Sequence, residues 1–85
     1  MENFVVQLSR RAEKDLRKVP NRIRGAAQEV FADMEVDPYS GDYKKLQGDE
    51  GHRRRIGDYR ILFDIDSDIH LVIVRGIRRR GQAYR

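Results

Sequence analysis

The sequence has no cysteine, so neither a disulfide nor a thiolate metal site can support its fold. A cytosolic compartment fits that composition. No apolar run approaches the roughly 20 residues of a membrane span, and no N-terminal stretch resembles a signal peptide. There are only two prolines, Pro20 and Pro38, and each falls where a helical pattern stops. No glycine motif opens a helix in the manner of a phosphate-binding loop. The two histidines, His52 and His70, have no neighbours at metal-ligand spacing. No serine has a histidine arranged to activate it. Metal, disulfide, membrane-spanning and nucleophilic-serine chemistry all lack support.

What the chain has is arginine, unevenly placed. Residues 1–43 carry 7 basic and 8 acidic side chains, a net of −1, whereas residues 44–85 carry 11 and 6, a net of +5. Arginine forks grip phosphate in a bidentate way and stay charged at any accessible pH. Nucleic acid or an acidic protein is the partner such a surface suits. At 85 residues the chain predicts one domain, residues 1–85. A domain of this size buries only about 60–65% of its unfolded surface. The 39% hydrophobic content suffices for a sheet covered by one layer of helices.

Phe4 to Leu8, FVVQL, is β-branched and aromatic and reads as a strand. Ser9 can cap a following helix, in which Ala12, Leu16 and Val19 form an apolar stripe. Asn21 is the expected cap of a second helix, with Ile23, Ala27, Val30, Phe31 and Met34 on one face. Asp37-Pro38 ends it. Residues 37–51 read as a connecting loop, anchored by Leu46. Three strands joined by tight turns complete the order strand, helix, helix, strand, strand, strand. This is an α+β fold: a mostly antiparallel twisted sheet with two helices packed on one face.

His52 to Arg60, HRRRIGDYR, reads as a β-hairpin turning at Gly57-Asp58. A two-residue turn sets Ile56 opposite Tyr59, Arg55 opposite Arg60, Arg54 opposite Ile61 and Arg53 opposite Leu62. Alternation then puts Arg53, Arg55, Arg60 and Leu62 on one face, and His52 on the core side opposite Phe63. Tyr59, Ile61, Phe63 and Ile65 face the helices. In the last strand, pairing Ile65 with Ile69 sends Ile69, Leu71, Ile73 and Ile77 to the core. It leaves Val72, Val74, Gly76 and Arg78 on the arginine face. The tail after Arg78, RRGQAYR, reads as a short turn or one loose helical turn.

Two arginines facing each other repel, at a cost of about 0.2–1 kcal/mol. An anion bound between them is the simplest reason to keep the pair. Arg53, Arg55, Arg60 and Arg78, with Tyr84 six residues beyond, suit phosphoryl chemistry. Cations around a phosphate stabilise the added charge of a five-coordinate transition state, and RNA supplies its own 2′-hydroxyl nucleophile. A tyrosine can stack a base. The residue types alone leave RNA cleavage, RNA binding and protein binding open, and His52 as a structural histidine or a general base.

KLQG, a strand ending in R-x-R, then GDYRILFDI, then G-I-R with a tyrosine six residues later resembles the RelE toxins. These belong to the RelE/ParE superfamily of type II toxin–antitoxin systems. The resemblance covers nearly the whole chain and implies a ribosome-dependent, metal-independent endonuclease that cuts messenger RNA in the ribosomal A site. It implies Arg55, Arg60, Arg78 and Tyr84 as catalytic residues, and Arg53, Arg79 and Lys45 as substrate-binding ones. It implies no cofactor, an acidic RelB-like antitoxin, the ribosome and mRNA as partners, and a cytoplasmic location. The alternatives within the fold are a ParE-like gyrase inhibitor without nuclease activity and a non-catalytic RNA-binding module. The chain departs from the RelE pattern in two ways. Lysines often stand where this chain has Arg53 and Arg55, and an arginine does not give up its proton, so Arg53 is a poor general base. That leaves electrostatic stabilisation as the main expectation, with Tyr84 or His52 as candidate bases. Arg54 stands where relatives have an apolar residue, and is expected to snorkel along a helix edge.

Overall fold

Ser9 ends the first strand and starts the first helix. The computed structural model describes residues 3–48, 51–79 and 81, and in it β1 is Val5–Leu8 and α1 is Arg10–Lys18. Ser9 caps α1, its Oγ accepting the Ala12 N–H at 3.1 Å, which satisfies one of the orphan donors of the first turn. Pro20 then separates α1 from α2, Asn21–Val36. The expected cap Asn21 is instead the first helical residue. Pro20 holds the cap position, its carbonyl accepting the N–H groups of Ile23 and Arg24, while Asn21 Oδ1 takes Arg24 Nη1 at 2.7 Å.

The rest of the chain forms β2, Tyr43–Lys45; β3, His52–Ile56; β4, Tyr59–Asp66; and β5, Leu71–Arg79. The sheet has the order β1-β5-β4-β3-β2. The β1–β5 pair is parallel and the other three are antiparallel. The fold class is as expected, with one strand more. β2 lies within the stretch read as loop, and Tyr43, not Leu46, packs against the core.

Both helices cover one face. Their buried side chains, Ala12, Val19, Ile23, Ala27, Val30, Phe31 and Met34, meet Ile56, Ile61, Phe63, Val72, Val74 and Ile77 of the sheet. The hairpin register is that read from the turn, residue for residue. Gly57 has a φ of 59° and Asp58 does not share the positive sign, the φ pattern of a type II′ turn.

The last strand differs from expectation. The connection runs through residues 67–70, and Arg60 pairs with Arg78 and Ile61 with Ile77, a slip of four residues from the expected register. A bulge opposite Leu62/Phe63 leaves Arg75 as the extra residue between Val74 and Gly76. The bulge inverts the alternation. Before it, Val72 and Val74 enter the core, and after it Ile77 does, while Ile69 and Ile73 are exposed. The expected places of Val72 and Val74 with Ile69 and Ile73 are therefore exchanged.

Candidate functional site

Arg55, Arg60 and Arg78 form a row across three adjacent strands. Arg55 is the direct partner of Arg60 in the β3–β4 ladder, and Arg60 of Arg78 in the β4–β5 ladder. Cross-strand partners stand roughly 5 Å apart at Cα and share a face. The row lies opposite the helices, because the neighbours Ile56, Ile61 and Ile77 point into the core. Three cations at this spacing repel one another. Among the described residues no acid pairs with Arg55 or Arg60. Both side chains are half-buried, so water screens their charge incompletely.

Arg78 is held differently. Its Nη1 lies 3.4 Å from both carboxylate oxygens of Asp15, which α1 brings to the outer edge of β5. Arg53 shares the arginine face but is buried and engaged, its Nη1 donating to the Asp42 carbonyl at 3.1 Å and meeting Asp42 Oδ1 at 3.3 Å. Arg54 turns to the helix side, as expected for a snorkelling side chain. It reaches Asp33 of α2 at 3.2 Å and Ser40 Oγ at 3.3 Å.

Two expected substrate-binding residues are not brought to the row. Lys45 pairs with His52 and shares its helix-side face, so on this strand it is Lys44, opposite Arg53, that lies on the arginine face. Arg79 pairs with Tyr59, also on the helix side, and lines a cleft of about 480 Å³ with Lys14, Lys18 and Arg78 at the edge of β5. Tyr84 lies outside the described residues. Among the described residues, no three His, Cys, Asp or Glu side chains converge as a metal site.

Comparison with known proteins gives this geometry a context. The family described as the ParE toxin of type II toxin–antitoxin systems, parDE, matches residues 6–84. The chain belongs to the RelE/ParE toxin family. A RelE toxin of Mycobacterium tuberculosis is 37% identical over 85 residues, covering 96% of this chain and 87% of that one. A protein named as a toxin RelE1 in Methanocaldococcus jannaschii is 33% identical, with 96% of each chain covered. Among solved structures, the M. tuberculosis RelBE2 toxin–antitoxin complex superposes with a TM-score of 0.80 at 30% identity, covering 92% of this chain and 99% of that one. The archaeal RelE–RelB complex of Pyrococcus horikoshii shares the fold, with a TM-score of 0.83 at 23% identity and coverage of 95% and 99%.

In this RelE-family toxin His52 stands on the helix side, across the sheet from the row. Its ring stacks on Phe63 at 5.6 Å and on Tyr43 at 5.5 Å, and Nδ1 lies 2.6 Å from Tyr43 Oη. Burial, with Lys45 and Arg75 nearby, pushes the His52 pKa below its ordinary 6.5, against an opposing pull from Asp64. Burial also raises that of Tyr43, and Tyr39 adds to the shift. Both directions favour a neutral pair in which the hydroxyl donates to the ring nitrogen. His52 is thus packed among aromatic rings on the helix side, away from the row. The unfolded chain binds the proton more readily, so His52 stabilises the fold fully above pH 6.5, and that contribution is lost as pH falls below 6.5 towards the folded value. The difference in melting temperature between wild type and His52→Gln should therefore shrink between pH 7.5 and 5.5. Thermal unfolding by circular dichroism measures it, and a pH-independent difference would contradict the assignment.

Asp15 and Asp42 are the site residues that sequence reasoning missed. Asp42 gives no local signal. Asp15 does, since it stands three residues after Ala12 and four before Val19, on the apolar stripe of α1, where a solvated acid has no place.

Proposed function

We propose that this toxin cleaves messenger RNA in the ribosomal A site without a metal, using the RNA's own 2′-hydroxyl as nucleophile. The observation that carries the reading is the row Arg55–Arg60–Arg78, with two members that no described acid neutralises. In the reaction the 2′-oxygen bonds to the adjacent phosphorus, losing its proton, and the bond from phosphorus to the 5′-oxygen breaks as that oxygen gains one. The products are a 2′,3′-cyclic phosphate and a 5′-hydroxyl. The five-coordinate transition state bears more negative charge than the diester, and fixed cations lower its energy more than that of the ground state. Arg55 and Arg60 supply that charge, Arg78 flanks it, and Tyr84 stacks on or orients the nucleotide. Arg53, tied to Asp42, contributes field and lends rigidity to β3.

An acidic RelB-like antitoxin neutralises the toxin, matching charge against the basic second half of the chain. Relatives of this fold have been solved as RelE–RelB complexes, which supports such a partner here. No described helix is long and apolar enough to cross a membrane, and a cytoplasmic location goes with the ribosomal target. A translation extract supplied with the purified toxin tests the reading. Breaks within codons, ending in cyclic phosphate and appearing only with ribosomes, are expected. The matching family model carries the ParE description, so DNA gyrase is the competing target. Intact messages together with gyrase-linked DNA breaks would replace the nuclease reading with that one.

A further inference from the structure

Among the described residues two charged side chains are buried, Arg53 and Asp15. Arg53 finds its acid 11 residues away, on the approach to β2. Asp15, besides Arg11 four residues before it, finds partners 62 and 63 residues away, on β5. β1 stops pairing at Val74, so beyond that point the outer edge of β5 has no strand beside it. α1 lies there instead. Ser9 Oγ donates to the Arg75 carbonyl at 3.1 Å, and Asp15 Oδ2 accepts the Ile77 N–H at 3.0 Å. With one oxygen fixed to the backbone of β5, the carboxylate meets Arg78 Nη1 at 3.4 Å through both oxygens, and Arg11 Nε at 3.4 Å through Oδ1. Side-chain exposures of 11% for Arg78 and 10% for Asp15 leave this ion pair little screened.

We propose that Asp15 is a positioning residue for Arg78, holding its guanidinium at the end of the arginine row before any phosphate arrives. The proposal rests on the nuclease reading and deepens it. Arg60 stands directly beside Arg78 and repels it. An arginine side chain without a counter-ion would swing away from that neighbour, and ordering it again on binding is costly. Asp15 does the ordering during folding. Because it accepts a hydrogen bond from Ile77, the residue before Arg78 on the same strand, it moves with the strand that carries Arg78, and the geometry is kept. The other acid–arginine contacts of the sheet among the described residues are more open to solvent, with Asp33, Asp42 and Asp64 each half or more exposed.

Asp15→Asn tests the role, since the amide oxygen still accepts from Ile77 while the charge is lost. On programmed ribosomes at saturating concentration, Asp15→Asn should slow single-turnover cleavage about tenfold. In an Arg78→Ala background it should slow cleavage no further, because the carboxylate acts through that guanidinium. A purely structural edge cap would give the same fractional loss in both backgrounds, and that result overturns the proposal. The Arg78 side chain gives a readout independent of cleavage. Its Nε–H signal in NMR should be ordered in the wild type and averaged in Asp15→Asn, and an unchanged signal also overturns the role. A wild type that leaves all messages intact overturns the nuclease reading, and this role with it. Wild-type cleavage with additive losses overturns the role of Asp15 alone.

Discussion

Arg60→Ala is expected to lower ribosome-dependent cleavage by about 10²–10³-fold, the loss typical when one preorganised group facing transition-state charge is removed. The same substitution should leave the melting temperature unchanged or a few degrees higher. The two effects have opposite signs because Arg60 does opposite things to the fold and to the substrate. In the free protein it stands between Arg55 and Arg78. Each unscreened like-charge pair costs about 0.2–1 kcal/mol. Asp15 offsets Arg78, which leaves the Arg55 pair as the main strain relieved. For a domain this small, 1 kcal/mol moves the midpoint by about 4–8 °C. In the proposed reaction a bound phosphate would turn the repulsion into joint attraction, which would grow as the phosphorus takes its fifth oxygen. Arg60→Lys keeps the charge and loses the planar fork, so its rate should fall between those of wild type and alanine. The measurements are RNA ends mapped in a translation extract and thermal unfolding of the same preparations. A variant that loses activity and stability together would mean that Arg60 holds the sheet and does not act on RNA.

The part of this site nearest the turn was legible because a two-residue connection allows one register. From Gly57-Asp58 outward every pairing as far as His52–Phe63 follows by counting. Nothing comparable constrains β4 against β5. Residues 67–70 can close a turn in several ways, and Ile69, Leu71 and Ile73 offer a plausible apolar alternation on the wrong face. The true register needs the bulge at Arg75, whose local signal is only the adjacent Gly76 within the strand, since its place depends on how Val72, Val74 and Ile77 together fit the helices. The pairing of Arg60 with Arg78 is a consequence of that fit. β2 escaped notice because Tyr43-Lys44-Lys45 is short and polar and takes its strand form from pairing with β3. The faces of Lys45 and Arg79 followed from the same long-range pairings, so the Arg55–Arg60 pair could be read from the sequence while the place of Arg78 beside it, and the flanks, could not.

Phe63→Ala is expected to have the largest effect on the fold, lowering stability by about 3–5 kcal/mol. Domains of this size have a total of roughly 5–10 kcal/mol, so the variant would be near its limit. Phe63 is fully buried and belongs to the core cluster between the sheet and the two helices. Its ring stacks on His52 at 5.6 Å and lies 6.3 Å from Tyr43, so removing it opens a cavity beneath the aromatic group that joins β2 and β3 to β4. His52 then loses the apolar wall that keeps it neutral. Phe63→Leu keeps most of the volume and should cost less than about 1.5 kcal/mol. At 4–8 °C per kcal/mol, the alanine variant should melt about 12–40 °C below wild type. Function should respond differently. Phe63 sits three positions along β4 from Arg60 and on the opposite face, and it touches no group of the arginine row. At a temperature where Phe63→Ala is still mostly folded, cleavage per folded molecule should stay within a few-fold of wild type. Thermal unfolding together with cleavage normalised to the folded fraction measures both. A rate per folded molecule as low as that of Arg60→Ala would mean that the row depends on core packing as much as on its own charges.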